Sequence, residues 1–293
     1  MKVPRHPTDA EWAEEQLEYY VTVVPEGAAS VEQSAARLPV LQMGAVDRIG
    51  YATVLDPSAE NLTTWDAVVQ AMQVTTGIYA AAGATEGTVE WLIGERTVHI
   101  PATGPVEFAN FKRWLDAFWL AVIVRDRKCI DLLASFPLDI IKASGNQYEE
   151  LDALWARTLQ MFTKGEPGMA ESLAEAMAAT DPERLTVSPP EYALRLAFPV
   201  MNTFLNMVRS NHEREFNEAL AQALEQHKAY FTADSKLADD PRGLIALAPL
   251  GLACIAKDSG LNVEVESDYL PKHLVLGSWA GEYQTSCPPV VPR

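Results

Sequence analysis

The sequence predicts a mainly α-helical protein, a multi-helix globular bundle with a small β-hairpin and one short C-terminal strand. Apolar residues recur at helical spacing over long stretches, as in the stripe from Phe108 to Val122. β-rich runs flank a tight-turn dipeptide at Gly94-Glu95. Residues 262–266 alternate apolar and polar side chains with a period of two, which is typical of a half-buried strand.

Three helices are predicted before the hairpin. Thr8 and Glu11 have the spacing of a capping box, so a first helix is expected to start there and to end before Pro25. Residues 31–41 favour a second helix, and residues 62–82 favour a third one with a single buried face. The residues of that face are Trp65, Val68, Val69 and Met72.

The hairpin is predicted from two β-rich runs, residues 89–93 and 97–100. Glycine at the first central position of its turn suits a type II′ turn, which requires a positive φ there. We interpret the hairpin as a small structural flap. A strand edge that a partner could extend is the alternative.

The middle of the chain is predicted to hold long core helices. Residues 107–136 follow one helical stripe, which Pro137 would stop because proline cannot continue a helix. Asn146 and Glu149 form a second capping-box pattern before another amphipathic helix. The adjacent acids Glu149 and Glu150 are interpreted as solvated helix charges. A shorter helix is expected at residues 169–179.

The C-terminal part continues the helical pattern. Ser188 is expected to cap a helix that Pro199 kinks and that ends near Arg209. Residues 216–231 carry an amphipathic stripe, and residues 244–256 are so apolar that they predict a buried central helix.

The chain is expected to divide into three parts. These are an N-terminal helical segment with the hairpin (1–105), an all-helical core (106–280) and a loose tail (281–293). One continuous domain is the alternative, because 293 residues can form one large domain or two closely packed ones.

The charge of the chain bears on its partners. Acidic residues outnumber basic ones 40 to 23, giving a formal net charge of -17, which repels phosphate backbones and anionic membrane surfaces. Nucleic acid and membranes are therefore not expected partners. The same charge would attract a basic protein, although it could also serve only to keep the protein soluble.

Targeting and redox features are sparse. The N-terminus lacks the apolar region of a signal peptide and no segment is long and apolar enough to span a membrane, so a cytoplasmic location is expected. Cys129, Cys254 and Cys287 are far apart and odd in number, which argues for reduced thiols.

The sequence shows no motif for catalysis, a metal or a cofactor. It lacks both glycine-rich phosphate-binding patterns, a histidine pair at zinc-binding spacing and a GxSxG nucleophile elbow. We therefore expect no catalytic residue, metal or cofactor. His227 falls on the apolar face of its helix, which favours a structural core histidine.

Two clusters remain as candidate functional residues. Arg125, with Asp126 beside it, continues the core-facing stripe, so it must meet a carboxylate or carbonyl groups inside the fold or lie at a cleft. The segment 267–271 presents Asp268 and Tyr269 just before a proline, where an acid and an aromatic ring could contact a basic partner. Tyr269 packed against the body of the protein is the alternative.

A spread-out set of segments resembles the immunity protein 49 family of bacterial toxin antidotes, over roughly residues 107–280. The segments are Arg125-Asp126, residues 132–137, the acidic helix from Gln147, residues 243–258 and residues 267–271. The resemblance implies a largely helical antidote that blocks a cognate toxin, often a nuclease, without catalysis.

For a basic toxin, the expected contacts are Asp258, Glu264, Glu266, Asp268 and Tyr269. An enzyme is the first alternative, with a small-molecule cleft lined by Arg125, Asp126 and His227. A helical scaffold protein is the second. The sequence leaves the oligomeric state and the identity of the toxin open.

Overall fold

The computed structural model describes residues 1–209 and 212–286, and it is 65% helical with one two-stranded sheet, which confirms the predicted fold class. In chain order, the α-helices are α1 (Ala10–Ala28), α2 (Leu38–Leu55), α3 (Leu62–Gly83), α4 (Phe111–Val124), α5 (Arg127–Ser135), α6 (Leu138–Ala143), α7 (Glu150–Lys164), α8 (Met169–Ala178), α9 (Pro190–Tyr192), α10 (Phe198–Val208), α11 (Glu213–Phe231), α12 (Ser235–Ala238), α13 (Leu247–Asp258) and α14 (Lys272–Val275). None of the helices in these two described stretches combines the length and apolarity needed to cross a bilayer.

The two strands form the predicted hairpin. β1 (Thr88–Ile93) pairs antiparallel with β2 (Arg96–Pro101), and Ile93 lies opposite Arg96. The two residues between them form the turn, in which Gly94 has a φ of +62° and Glu95 is not in the positive-φ region. This is the sign pattern of a type II′ turn, so the role of this glycine is confirmed.

The hairpin packs against α3, where the Trp91 indole donates a 2.7 Å hydrogen bond to the carbonyl of Gln73. α3 itself matches its prediction closely, and its expected face of Trp65, Val68, Val69 and Met72 is buried. One contiguous core of buried side chains extends from Val3 to Val275. It includes residues of α2 and α3 as well as residues of α4, α7, α11 and α13.

Helix α4 is central to this core. It contacts α3 on one side and α13 on the other, and Trp114 and Phe118 on it are fully buried. Gly251 of α13 lies directly against the Trp119 ring, since a Cβ at that glycine would lie 2.5 Å from the ring. α4 and α13 approach this closely because position 251 has no side chain.

Several predicted helix starts were wrong because other residues provide the caps. Asp9, not Thr8, caps α1 by accepting the N–H groups of Glu11 and Trp12, and aspartate is a better N-cap than threonine. α1 continues through Pro25 to Ala28, since packing of its buried side outweighs one missing hydrogen bond. α2 begins at Leu38 instead of 31, because Pro39 fits the first turn of a helix.

The predicted single helix over residues 107–136 is two helices. Asn110 caps α4, so Phe108 lies before it, and the chain turns at Arg125, whose φ of +60° is left-handed. Asp126 then caps α5 through the N–H of Cys129 at 2.9 Å. Both caps are short polar residues within the apolar stripe, and each of them begins a new helix.

The prediction of a second capping box at Asn146 and Glu149 was also wrong. The Asn146 side chain donates to the carbonyl of Glu107, and α7 begins at Glu150 without a side-chain cap. Glu149, expected to be a solvated charge, is buried and accepts the backbone N–H groups of residues 186–188. Burial alone would raise the pKa of Glu149, but these N–H groups outweigh that effect and lower it.

The segment around Pro199 differs from a simple kink. Ser188 caps nothing, and residues Ala193–Ala197 form a π-helical turn between α9 and α10. The N–H of Phe198 donates to the carbonyl of Ala193, five residues earlier. Pro199 has no N–H for the Arg195 carbonyl, so the wider π turn replaces regular α-helix here.

The C-terminal strand is also absent. Residues 262–266 are extended, but they form only an isolated parallel bridge between Lys2 and Glu266. Its backbone hydrogen bonds to the N-terminal segment join Met1 and Val3 to Glu264 and Glu266. The central apolar helix α13 starts at Leu247, three residues later than expected, because a 3₁₀ turn at Pro241–Leu244 precedes it. Cys287 and the end of the predicted tail lie outside the described residues.

Candidate functional site

Arg125 joins helices α4, α13 and α14 through its guanidinium, and it does not line the cavity described below. Its guanidinium donates to the carbonyls of Ile123 and Val275 at 2.8 Å, and it also bonds the carbonyl of Leu274. Its Nε lies 3.1 Å from the carboxylate of Asp258 at the end of α13. The Arg125 side chain is 16% exposed, so Arg125 has the structural role of a group paired with a carboxylate and carbonyls inside the fold.

Asp126 does not pair with Arg125. Its carboxylate caps α5 and also accepts a 2.6 Å hydrogen bond from the Thr285 hydroxyl. The two neighbours therefore have separate structural partners, because the left-handed turn at Arg125 points the chain in a new direction. The sequence required a carboxylate or carbonyl partner for Arg125, and Asp126 is not that partner.

His227 is a core histidine, as its position on the apolar face of α11 predicted. Its Nε2 lies 3.0 Å from the carbonyl of Gly243, and its ring contacts those of Phe231 and Tyr269. Burial lowers the pKa of His227 to about 4, so the ring is neutral at physiological pH and Nε2–H donates to Gly243.

Tyr269 is not available to a partner. It is 0% exposed, and its hydroxyl lies 2.7 Å from Nδ1 of His6. Burial raises the pKa of Tyr269 to about 12. The prediction of a surface contact here was wrong because the ring fills a site between the N-terminal segment and α11, which is the alternative of packing on the body.

The four acidic residues of the predicted contact set are exposed. Glu264 and Glu266 lie two residues apart on an extended segment with Val265 buried between them, and Asp268 lies two residues further on, in the turn that follows. In residues 1–209 and 212–286, no basic group forms an ion pair within 4 Å of these three carboxylates. We call residues 264, 266 and 268 the acidic row. Asp258 differs, since Arg125 already pairs with it.

A cavity of about 340 Å³ lies on a different part of the molecule. We call it the π-turn cleft, because residues of the π-helical turn line it together with α4, α11 and the start of α13. Its polar and aromatic lining includes Asp116, Trp119, Tyr192, Arg195, Tyr230 and Arg242. His227 lines it too, whereas Arg125 and Asp126 do not, so the three residues of the predicted enzyme cleft do not share one site.

The acids in and around the π-turn cleft have unusual pKa values. Burial raises the pKa of Asp116 to about 7, and it raises that of Asp152, which accepts the Tyr192 hydroxyl at 2.6 Å, to about 6. Burial and the nearby Asp240 raise the pKa of Asp47 to about 6. No local pattern in the sequence predicts this group, because Asp47, Asp116 and Asp152 come from three separate helices, α2, α4 and α7.

The family model for immunity protein 49 matches residues 56–274 of the 293-residue chain, well over half of it. The chain belongs to the immunity protein 49 family. This confirms the resemblance predicted from residues 107–280 and extends it to α3 and the hairpin. Neither the curated proteins nor the solved structures include a match to the chain.

Membership of the immunity protein 49 family implies a role as an immunity protein in toxin systems. The match covers the acidic row and the lining of the π-turn cleft apart from Val46. Helix α1, with its exposed glutamates, lies outside it. In the part of the immunity protein that the structure describes, no group of three or more His, Cys, Asp or Glu side chains could hold a metal ion.

Proposed function

We propose that this immunity protein neutralises a cognate bacterial toxin by binding it stoichiometrically and covering its substrate-binding surface. A basic nuclease is the toxin class that fits best. The observation that carries the proposal is the match to the immunity protein 49 family over residues 56–274. The formal charge of -17 supports a basic target, since nucleases carry positive surfaces for an anionic substrate.

The acidic row is the proposed contact surface, together with Asp258. Glu264 and Glu266 are two residues apart on an extended chain, so their side chains point the same way and lie roughly 7 Å apart, and Asp268 follows in the adjoining turn. Three unpaired carboxylates in such a row can each meet a lysine or arginine without first breaking an internal ion pair. Tyr269, although it belonged to the expected contact set, is not part of this surface because it is fully buried.

The acidic row would act mainly on the rate of association. Exposed ion pairs contribute roughly 0–1 kcal/mol each, so three of them do not make a tight complex. They can, however, steer a basic partner and raise the association rate tenfold or more at low salt. Tight binding then needs a buried anchor elsewhere in the interface.

The test uses the toxin encoded beside the gene of this immunity protein. We expect the triple variant Glu264→Gln, Glu266→Gln, Asp268→Asn to associate about tenfold more slowly at low ionic strength, with a smaller difference in high salt. Stopped-flow mixing of the purified proteins measures both rates.

The matched control is Glu14→Gln, Glu15→Gln, Glu18→Gln in α1. It changes the net charge by the same amount, at exposed glutamates that lie outside the family match. The control should keep most of the wild-type rate. Equal slowing of both triple variants would show that only the overall charge matters and would remove the acidic row as a contact surface.

A further inference from the structure

We propose that the π-turn cleft is an anchor pocket that receives the side chain of a lysine or arginine from the toxin. This inference rests on the proposed function, because it supplies the buried contact that the acidic row lacks. Anchors of this kind, a charged side chain enclosed in a preformed pocket, account for most of the affinity in many interfaces.

The cleft has the size and shape for such a side chain. Its volume of about 340 Å³ lies at the lower end of the range for small-ligand pockets, roughly 300–1,000 Å³. Asp116 of α4 lines it, and aromatic rings of three other elements, Trp155, Tyr192 and Tyr230, line it as well. A carboxylate with aromatic walls is a combination that binds alkyl ammonium and guanidinium groups.

Asp116 has no partner of its own. In the two described stretches of the chain it makes no hydrogen bond and no ion pair within 4 Å, although burial raises its pKa. The basic groups nearest to it bond elsewhere: Arg242 to Asp240 at 2.9 Å, Arg113 to Gln42 at 3.2 Å and Lys112 to Ser188 at 2.8 Å. An incoming cation would therefore pair with a partly exposed carboxylate that makes no other ion pair in these two stretches.

One wall of the cleft already binds a cation through its ring face. The Lys112 ammonium lies 4.0 Å from the centre of the Tyr192 ring. Asp152 accepts the hydroxyl of that tyrosine and fixes its ring orientation. Residues of the π turn, a feature that often occurs at functional sites, form the adjacent wall.

An anionic ligand such as a carboxylate is the alternative to a cation in this cleft, because Arg195 also lines the cleft and has no ion-pair partner among residues 1–209 and 212–286. Asp116 favours the cation. It makes no ion pair in the described stretches, whereas Lys112 and Arg242, the other basic groups of the lining, already bond Ser188 and Asp240. A bound cation would pair with the Asp116 carboxylate, while a bound anion would be repelled by it.

The direct test uses blocked amino acids as probes, so that only the side chain is offered. N-acetyl-arginine methylamide and N-acetyl-lysine methylamide are titrated into the full-length protein, with benzoate as the anionic probe, and indole N–H shifts are followed by NMR. We expect millimolar binding of at least one cationic probe, with the Trp119 and Trp155 signals shifting, and at least tenfold weaker binding by Asp116→Asn.

Two further variants complete the test. Asp139→Asn, at a fully exposed carboxylate on α6, should bind like the wild type. Ala248→Phe fills the cleft from α13, so it should abolish probe binding even though Asp116 is intact. Tighter binding of benzoate than of either cation, or binding of no probe, would overturn the proposal.

The same variants separate this proposal from the proposed function. With the neighbouring toxin, Asp116→Asn should dissociate at least tenfold faster while its association rate stays near that of the wild type. If the wild type binds a cationic probe but fails to neutralise the toxin, the proposed function fails and the pocket stands. If it neutralises the toxin and Asp116→Asn leaves both dissociation and probe binding unchanged, the pocket fails.

Discussion

At the scale of single residues, Arg125 shows what the apolar stripe could and could not predict. The position of a guanidinium on a buried face required carbonyl or carboxylate partners, and both kinds are present. Asp258 could not be identified as the partner, because it is 133 residues away in the sequence and no local pattern links the two. The adjacent Asp126 was the only candidate that the sequence offered.

Arg125→Ala should destabilise the fold by roughly 3 kcal/mol, because it leaves three buried carbonyl groups without their donor. The matched variant is Arg127→Ala, two residues away, where an exposed ion pair with Asp131 lies at i,i+4 spacing. That change should cost less than about 0.5 kcal/mol. Urea denaturation of both variants measures the difference, and similar losses would contradict the role given to Arg125.

Asp116 should make stability depend on pH in the range between its ordinary pKa of 3.8 and its folded-state pKa of about 7. Burial raises its pKa to about 7 from an ordinary value of 3.8, so the folded state binds more protons than the unfolded chain between these values. The free energy of unfolding therefore falls as the pH rises through this window. His227, whose pKa burial lowers to about 4, acts in the opposite direction, but only below its ordinary value of 6.5.

Between pH 6 and pH 8, we expect the wild type to lose roughly 1 kcal/mol through Asp116. Asp116→Asn should lose correspondingly less over the same range, and Asp139→Asn should follow the wild type. Chemical denaturation at several pH values measures these slopes. A slope that is identical in all three proteins would show that Asp116 does not titrate in this window.

At the scale of elements, local patterns were predictable and long-range ones were not. The hairpin and α3 follow from turn chemistry and from one clear apolar face, and both were predicted closely. The π turn and the buried Glu149 depend on contacts between distant segments. Glu149 binds residues 37 to 39 positions further along, so its sequence neighbours, which include another glutamate, suggested only a solvated charge.

Glu149 organises the chain that enters the π turn, so Glu149→Gln should loosen it. A neutral amide cannot accept the three N–H groups of residues 186–188 as strongly, and we expect a loss of about 2 kcal/mol at pH 7. Hydrogen exchange at these amides should accelerate as well. Glu150→Gln is the control, since that glutamate is exposed and pairs only with Arg184; it should change neither quantity.

At the scale of the whole molecule, charge and fold class could be predicted from composition and periodicity. The interior of the candidate site could not be predicted in this way. The acidic row could be predicted from the sequence because its members occupy alternate positions of one segment. The π-turn cleft could not, because α4, the π turn, α11 and α13 come together only in the folded protein. Helix starts were also predicted at the wrong residues, because Asp9, Asn110 and Asp126 cap helices that were expected to begin elsewhere.

The central claim is that neutralisation occurs by occupation of the toxin and without turnover. Titrating purified toxin with increasing immunity protein, and measuring residual toxin activity, tests it most directly. Activity should fall linearly and reach zero at a 1:1 molar ratio. Complete inactivation by one tenth of an equivalent, or full activity in the presence of excess immunity protein, would contradict the account.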